Sequence, residues 1–209
     1  MKVSVNRYLS YRGVFMRNVL SILLVVLCAA SLSFADETGP LTPYVDKGEL
    51  LANVGIGWGG LSGGIELTLA RIDIGGIIPL TFGVAGRAVI DPGLFTPDWT
   101  SFGAGGFGTA HVGFKEIDLP AEFGWFSRFD AYLGLGLGFA SGTTSLSYYD
   151  PKPGLGLSTF TGASYYLNDN LAINFEYGYI GRIRYDWDGY TSEYSYPLWY
   201  STIGVVLKL

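Results

Sequence analysis

The chain has 209 residues, 49% of them hydrophobic, and a formal net charge of −5. Four basic residues (Lys2, Arg7, Arg12, Arg17) lie in an acid-free N-terminal segment, and removing those 4 from 13 leaves 9 basic against 18 acidic residues, or −9 for the remainder. That sign excludes a nucleic-acid binder, which needs a basic footprint, and Tyr 15 with Phe 13 exclude a disordered acidic tail.

Met16 to Ala35 reads as a secretory signal. Arg17 supplies the positive start, Leu20 to Ala30 a short apolar core, and Ser33-Phe34-Ala35 a cleavage site ahead of Asp36. The core is too short to span a bilayer, which takes about 20 apolar residues. Residues 1–15 are largely polar and overlengthen the segment, so Met16 is the expected true start. Cys28 follows Leu27, a poor fit to a lipoprotein signal, so lipidation is not expected. The exported part then holds no cysteine, and its framework must come from hydrogen-bonded sheet. The expected organisation is 1–35 signal peptide, 36–47 periplasmic N-terminal lead and 48–209 barrel.

Beyond the signal no run of about 18 apolar residues exists. Instead eight segments alternate with period two. The first, near 48–59, sets Leu50, Ala52, Val54, Ile56 and Trp58 against Asn53, Gly55 and Gly57. The second, near 63–73, sets Ile65, Leu67 and Leu69 against Glu66, Thr68 and Ala70, with Arg71 and Asp73 breaking parity at its end. The third, near 79–90, sets Leu80, Phe82 and Val84 against Thr81, Gly83, Ala85 and Arg87. The fourth, near 101–115, sets Phe102, Ala104, Ala110, Val112 and Phe114 against Phe107, Thr109, His111 and Lys115.

The fifth, near 127–140, opposes Phe129, Ala131, Leu133, Leu135, Leu137 and Phe139 to Arg128, Asp130, Tyr132 and three glycines. In the sixth, near 155–167, Phe160 and Tyr165 differ in parity, which suggests a bulge. The seventh, near 171–185, opposes Leu171, Ile173, Phe175, Tyr177 and Tyr179 to Ala172, Asn174, Glu176 and Gly178. The eighth ends the chain, with Ile203, Val205, Leu207 and Leu209 opposite Thr202, Gly204, Val206 and Lys208.

In the middle of each clear strand the charges oppose the aliphatic face. Apolar-out and polar-in is the pattern of a barrel in lipid; a soluble sandwich or a lipocalin-like barrel needs a charged outer face. Only helices and closed sheets satisfy their backbone in lipid. The expected fold is therefore all-β, an eight-stranded antiparallel up-and-down transmembrane β-barrel.

Asn168-Asp169-Asn170 and Ile74-Gly75-Gly76 read as tight turns. Asp91 to Thr100, Ser141 to Gly154 and Asp186 to Tyr196 read as longer outer loops. Gly59 to Ser62 is short for an outer loop, and Glu116 to Phe126 is long for a periplasmic turn. With a periplasmic N-terminus, Trp58, Phe102, Phe139, Tyr179 and Trp199 fall at outer strand ends. Phe114, Phe129 and Tyr165 fall at inner ends, giving the two aromatic belts expected at the interfaces.

On the signal, the strand count, the hairpin Tyr165-Tyr166-Leu167-Asn168-Asp169-Asn170-Leu171 and the last strand, residues 45–209 resemble the small eight-stranded outer-membrane barrels of the OmpA/OmpX-like and OmpW-like group. The resemblance implies location in the cell outer membrane, with membrane lipid as a partner. It also implies that the terminal strand is read by the barrel-assembly machinery. Such chains commonly end in Phe, whereas this one ends in Leu209, which weakens that signal. The OmpW-like relatives imply passage of small or hydrophobic solutes.

The expected lumen network is Glu66, Arg87, His111, Arg128, Asp130, Asn174 and Glu176, with Asn53 and Lys115 on the same inward list. Buried ions there must pair, and eight strands enclose a space that side chains can fill. Gly55, Gly57, Gly83, Gly103, Gly105, Gly134, Gly136 and Gly138 also point inward. They either leave room for solute or receive Phe107, Tyr132 and Tyr166. No cofactor or metal is expected: one histidine and no exported cysteine leave only carboxylates, and Asp186-Trp187-Asp188 is too short for a calcium loop. Nor is catalysis. Lipid A deacylases carry a His-x-Ser pair, and His111 is followed by Val112-Gly113. Tyr149, Trp187, Tyr190 and Tyr194 are candidate outer-loop contacts for an extracellular ligand. The expected role is structural or surface-interacting with a narrow, occluded lumen. A passive solute channel is the alternative, and a lipid-modifying enzyme the third reading.

Overall fold

The computed structural model describes residues 41–75, 78–93, 98–113, 115, 121–146, 149–187 and 194–209. The signal segment, Phe114 and Tyr190 lie outside them. Eight strands follow in order: β1 (Leu50–Trp58), β2 (Gly60–Ile74), β3 (Ile78–Asp91), β4 (Trp99–Gly113), β5 (Phe129–Thr144), β6 (Tyr149–Tyr166), β7 (Leu171–Trp187) and β8 (Tyr194–Lys208). Each pairs antiparallel with its chain neighbours, and β1 pairs with β8 from Leu51↔Lys208 to Trp58↔Ser201, so the sheet closes into a barrel. Closure leaves no strand without a partner on either side, which a sheet in hydrocarbon requires.

The barrel is apolar outside. Val54 is 62% exposed, Leu135 63% and Ile203 63%, with Ile65, Leu67, Val84, Leu133, Leu137, Leu157 and Phe175 exposed beside them. Glu66, Arg87, His111, Asp130, Asn174 and Glu176 are buried inside. A water-soluble protein rarely exposes a continuous apolar band of this kind; in lipid that band is the contact surface.

Three irregularities refine the strand parities. The β2 ladder shifts between Thr68 and Ala70. This bulge exchanges the faces, so that Ile72 and Ile74 rejoin the exposed side while Arg71 turns away from it and holds Asp73 at 2.8 Å. In β6 the parity runs unbroken from Leu155 to Tyr166, because Phe160 points into the lumen and Tyr165 outward. The irregularity of this strand lies towards its outer half, where the β6–β7 register shifts between Gly154 and Thr159, and the β7–β8 register shifts nearby between Ile180 and Ile183, beside Gly181, whose φ is 58°. The inner segment before β5 holds a short 3₁₀ helix, Ala121–Arg128.

The strands also run further outward than composition suggests. Thr144, Tyr149, Trp187 and Tyr194 lie at strand ends, with Tyr149 opposite Trp187 and Tyr185 opposite Tyr194. Tyr149, Trp187 and Tyr194 are thus strand rather than loop positions. Pro151 and Pro153 sit inside β6 because the β5 ladder ends at Ala140↔Gly154, so no strand on that side asks for their missing N–H. β1 has only 9 residues and β6 has 18. The β1–β2 hairpin closes through the pair Gly57↔Gly60, and Gly59 and Gly60 take φ of 93° and 92°, a backbone that glycine adopts freely.

Substituting Leu135, near the middle of β5, by Arg should destabilise the barrel in liposomes by about 2–4 kcal/mol, the cost of a charge at the bilayer midplane. Denaturant titration of the refolded protein measures it. A change within about 0.5 kcal/mol, typical of an ordinary surface site, would place Leu135 in water.

Candidate functional site

The lumen is filled in three tiers. The first is apolar and lies towards the outer side: Ala85, Val89, Phe107, Tyr132, Phe160, Ile180 and Tyr200 form one buried cluster. Phe107 and Phe160 meet edge to face, with ring centres 4.9 Å apart. Inward glycines make the room. A side chain at Gly134 or Gly178 would collide with Phe160, and one at Gly162 with Tyr132. Of the inward glycines named from the sequence, Gly134 receives the Phe160 ring, while Gly57 and Gly136 lie against neighbouring backbone.

The second tier is ionic. Arg87 Nη2 donates to Glu66 Oε2 at 3.0 Å, and its Nε to Glu176 Oε2 at 3.4 Å. Tyr200 Oη donates to Glu176 Oε1 at 2.8 Å and Tyr132 Oη to Oε2 at 3.2 Å, while Asn174 Nδ2 donates to Tyr132 Oη at 3.1 Å. His111 lies between two carboxylates: Nε2 is 2.7 Å from Glu66 Oε1 and Nδ1 is 2.8 Å from Asp130 Oδ2. Both contacts are satisfied when both ring nitrogens carry protons. Thr109 Oγ1 donates a short bond to Glu66 Oε1, and Gly83 clears the space, since a Cβ there would lie 2.8 Å from Thr109 Oγ1. The Arg87 guanidinium also stacks over Phe160 at 4.7 Å, which joins the ionic tier to the apolar one.

The third tier closes the inner mouth and comes from the N-terminal lead. Val45 is buried with Leu51, Tyr166, Ala172 and Val206. Tyr44 stacks on Tyr166 with centres 4.5 Å apart. Thr81 Oγ1 donates to Val45 O at 2.7 Å, Lys208 Nζ donates to Tyr44 O, and Arg71 Nη2 donates to Leu41 O at 3.2 Å. Partial burial raises the Tyr44 hydroxyl above its ordinary pKa. Between the second and third tiers remains a cavity of about 10 Å³, lined by Asn53, Glu66, His111, Asp130 and Tyr166 among others. That is room for about one water.

Of the seven sequence candidates, Glu66, Arg87, His111, Asp130, Asn174 and Glu176 come together. Arg128 does not: it is exposed in the last turn of the 3₁₀ helix, before β5 begins. Lys115 sits at the inner rim, where Nζ meets Asp169 Oδ1 at 2.8 Å and holds that carboxyl below its ordinary range. A depressed carboxyl stabilises above its unfolded pKa, so this clasp is lost in acid as the pH falls through the folded value. The hydroxyls of Tyr132, Tyr200 and Thr109 join the network without being among the sequence candidates, although parity turns all three inward. Among the described residues no group of three or more His, Cys, Asp and Glu is placed to hold a metal.

The described aromatic belt candidates lie on the outer surface. Phe102 and Phe139 are 5.9 Å apart and Tyr179 and Trp199 4.8 Å, while Trp58 ends β1 exposed. At the inner end Phe129 meets Tyr165 at 5.2 Å, and Trp125 and Phe126 of the 3₁₀ helix join them.

Closed strand order, an apolar outside and an ionic inside together define a transmembrane β-barrel. No protein-family model matches the chain, and no curated protein matches it. Solved structures similar to it include Neisserial surface protein A, at 18% identity over 77% of this chain and 94% of that one, with a TM-score of 0.38, and the outer membrane protein OprG from Pseudomonas aeruginosa, at 14% identity over 83% and 99%, with a TM-score of 0.35. At those scores the fold rests on the strand order itself.

Replacing Arg87 by Met should cost about 3–5 kcal/mol, because it strands Glu66 and Glu176 as buried charges. Adding Glu66→Gln and Glu176→Gln should recover most of that loss, since partners in one network are not additive. Urea titration of the single and triple variants measures both steps.

Proposed function

We propose that the protein is an integral outer-membrane barrel with a structural or surface-interacting role and a lumen that does not conduct. The observation that carries this is the three-tiered packing of side chains in the lumen, with a cavity between the second and third tiers that holds about one water. The signal-like N-terminus and the exposed apolar band support the location. A catalytic role finds no support at His111, because both ring nitrogens face carboxylates and neither faces a hydroxyl nucleophile. The surface part of the role is supported by the uneven wall. β5 to β8 are long and rise beyond the short β1–β2 hairpin, giving aromatic strand ends a raised rim.

Planar-bilayer recording of the refolded barrel tests the closed lumen, with a Glu66→Ala/Glu176→Ala variant beside it. The expected wild-type trace is silent, from protein shown to be folded. Reproducible discrete openings that change in the variant would replace this reading with a gated channel. Deleting 187–195 should reduce any binding of expressing cells to host or matrix protein, and unchanged binding would remove the surface-interacting role.

A further inference from the structure

The ionic tier is unbalanced in two ways. It holds three carboxylates, Glu66, Asp130 and Glu176, against two cationic groups, Arg87 and a doubly protonated His111, so one negative charge is left over. A neutral His111 would leave two. The tier is also short of donors: three buried oxygens accept no hydrogen bond from the protein, namely Asn53 Oδ1, Asp130 Oδ1 and Asn174 Oδ1.

Both deficits fall on residues that line one cavity. Glu176 is well served by Arg87, Tyr132 and Tyr200, and Glu66 by Arg87, His111 and Thr109. Asp130 has His111 on Oδ2 and nothing on Oδ1, so the surplus charge is least compensated there. Asp130 is 1% exposed and Asn53 9%, and both line the cavity of about 10 Å³, whose wall also carries Glu66, Ser164 and the already paired Arg87 and His111.

We infer that this cavity, between Asn53 on β1 and Asp130 on β5, is a binding site for one small monovalent cation of the size of Na⁺. Hard cations take oxygen ligands, from carboxylates and from neutral carbonyl groups. The two unserved oxygens are one of each. A neutral water in the same space would serve the acceptors and leave the charge. A buried charge without a partner is very costly, and a cation answers both deficits at once. Residues from β1 and β5 are remote along the chain, so the ion would tie two distant parts of the wall and oppose unfolding. A permanently held ion is compatible with a silent lumen, so this inference stands or falls apart from the conductance result.

The test uses the refolded full-length barrel in detergent at constant ionic strength, in NaCl and in choline chloride, whose cation is too large for the site. Unfolding is followed by loss of the compact form on unheated gels, and binding by equilibrium dialysis with radioactive Na⁺. One ion bound per barrel is expected. The unfolding equilibrium constant should fall about a hundredfold when Na⁺ stands at one hundred times its dissociation constant. Asp130→Asn should abolish both effects. Asn53→Leu, which fills the cavity and spares the carboxylates, should abolish Na⁺ binding even if Asp130→Asn does not refold. Equal unfolding in the two salts with no retained Na⁺ in the wild-type barrel would overturn the site and leave a water or a shared proton in its place. Na⁺ retained undiminished by the Asn53→Leu barrel would overturn it as well.

Discussion

Every part of this molecule answers to one constraint: a backbone in hydrocarbon has no water to bond with. A sheet meets it only by closing, and β1 meets β8 through eight successive pairs, Leu51↔Lys208 to Trp58↔Ser201. Once the ring is closed, the alternation of side chains has nowhere to send polar groups except inward. The exposed Leu, Ile and Val of the outer face and the buried carboxylates of the lumen are two results of one geometry.

Side chains crowd the interior of these eight strands, and most of its buried polar groups serve one another. The arrangement at Glu66 and Glu176 shows how. Each carboxylate takes bonds from Arg87 and from hydroxyls on other strands, which links β2, β3, β4, β5, β7 and β8 across the interior. Glycines on the inward face are part of that arrangement. Gly83 clears Thr109 and Glu66, and Gly134 and Gly178 admit Phe160, so a small residue on one strand complements a large one on another. The network adds specificity of register, because a one-residue slip of any strand would turn its charge into lipid.

The period-two pattern made the strands and their inward residues legible before any coordinates. Glu66, Arg87, His111, Asp130, Asn174 and Glu176 could be set on one face by counting. Counting fails where the backbone inserts a residue. The bulge at Thr68/Ala70 exchanges faces, and its one sign in the sequence is the broken parity at Arg71 and Asp73, which a strand end explains equally well. It also fails at boundaries. Arg128 has the parity of Asp130, but the strand begins one residue later, after the 3₁₀ helix. The outer halves of β5 to β8 contain proline, serine and aspartate and read as loops; pairing with a long neighbour decided otherwise. The lead before β1 was the largest omission. Leu41, Tyr44 and Val45 carry no alternation, and nothing local says that a barrel mouth lies above them to be filled.

That lead has a mechanical consequence. The β1–β8 seam joins the first strand to the last, and at Gly55↔Gly204 neither strand offers a side chain to pack across it. With β1 the shortest strand, this seam is one of the two shortest ladders of the wall. The lead, however, is fastened on both sides of the seam: Gly48 donates to Thr68 O on β2, and Thr81 of β3 reaches Val45, while Lys208 of β8 grips Tyr44 from the other side. It acts as a tie bar across the joint. The wall cannot spread along that line until the bar is withdrawn, so a segment that reads as a loose leader sets how far the cylinder can breathe.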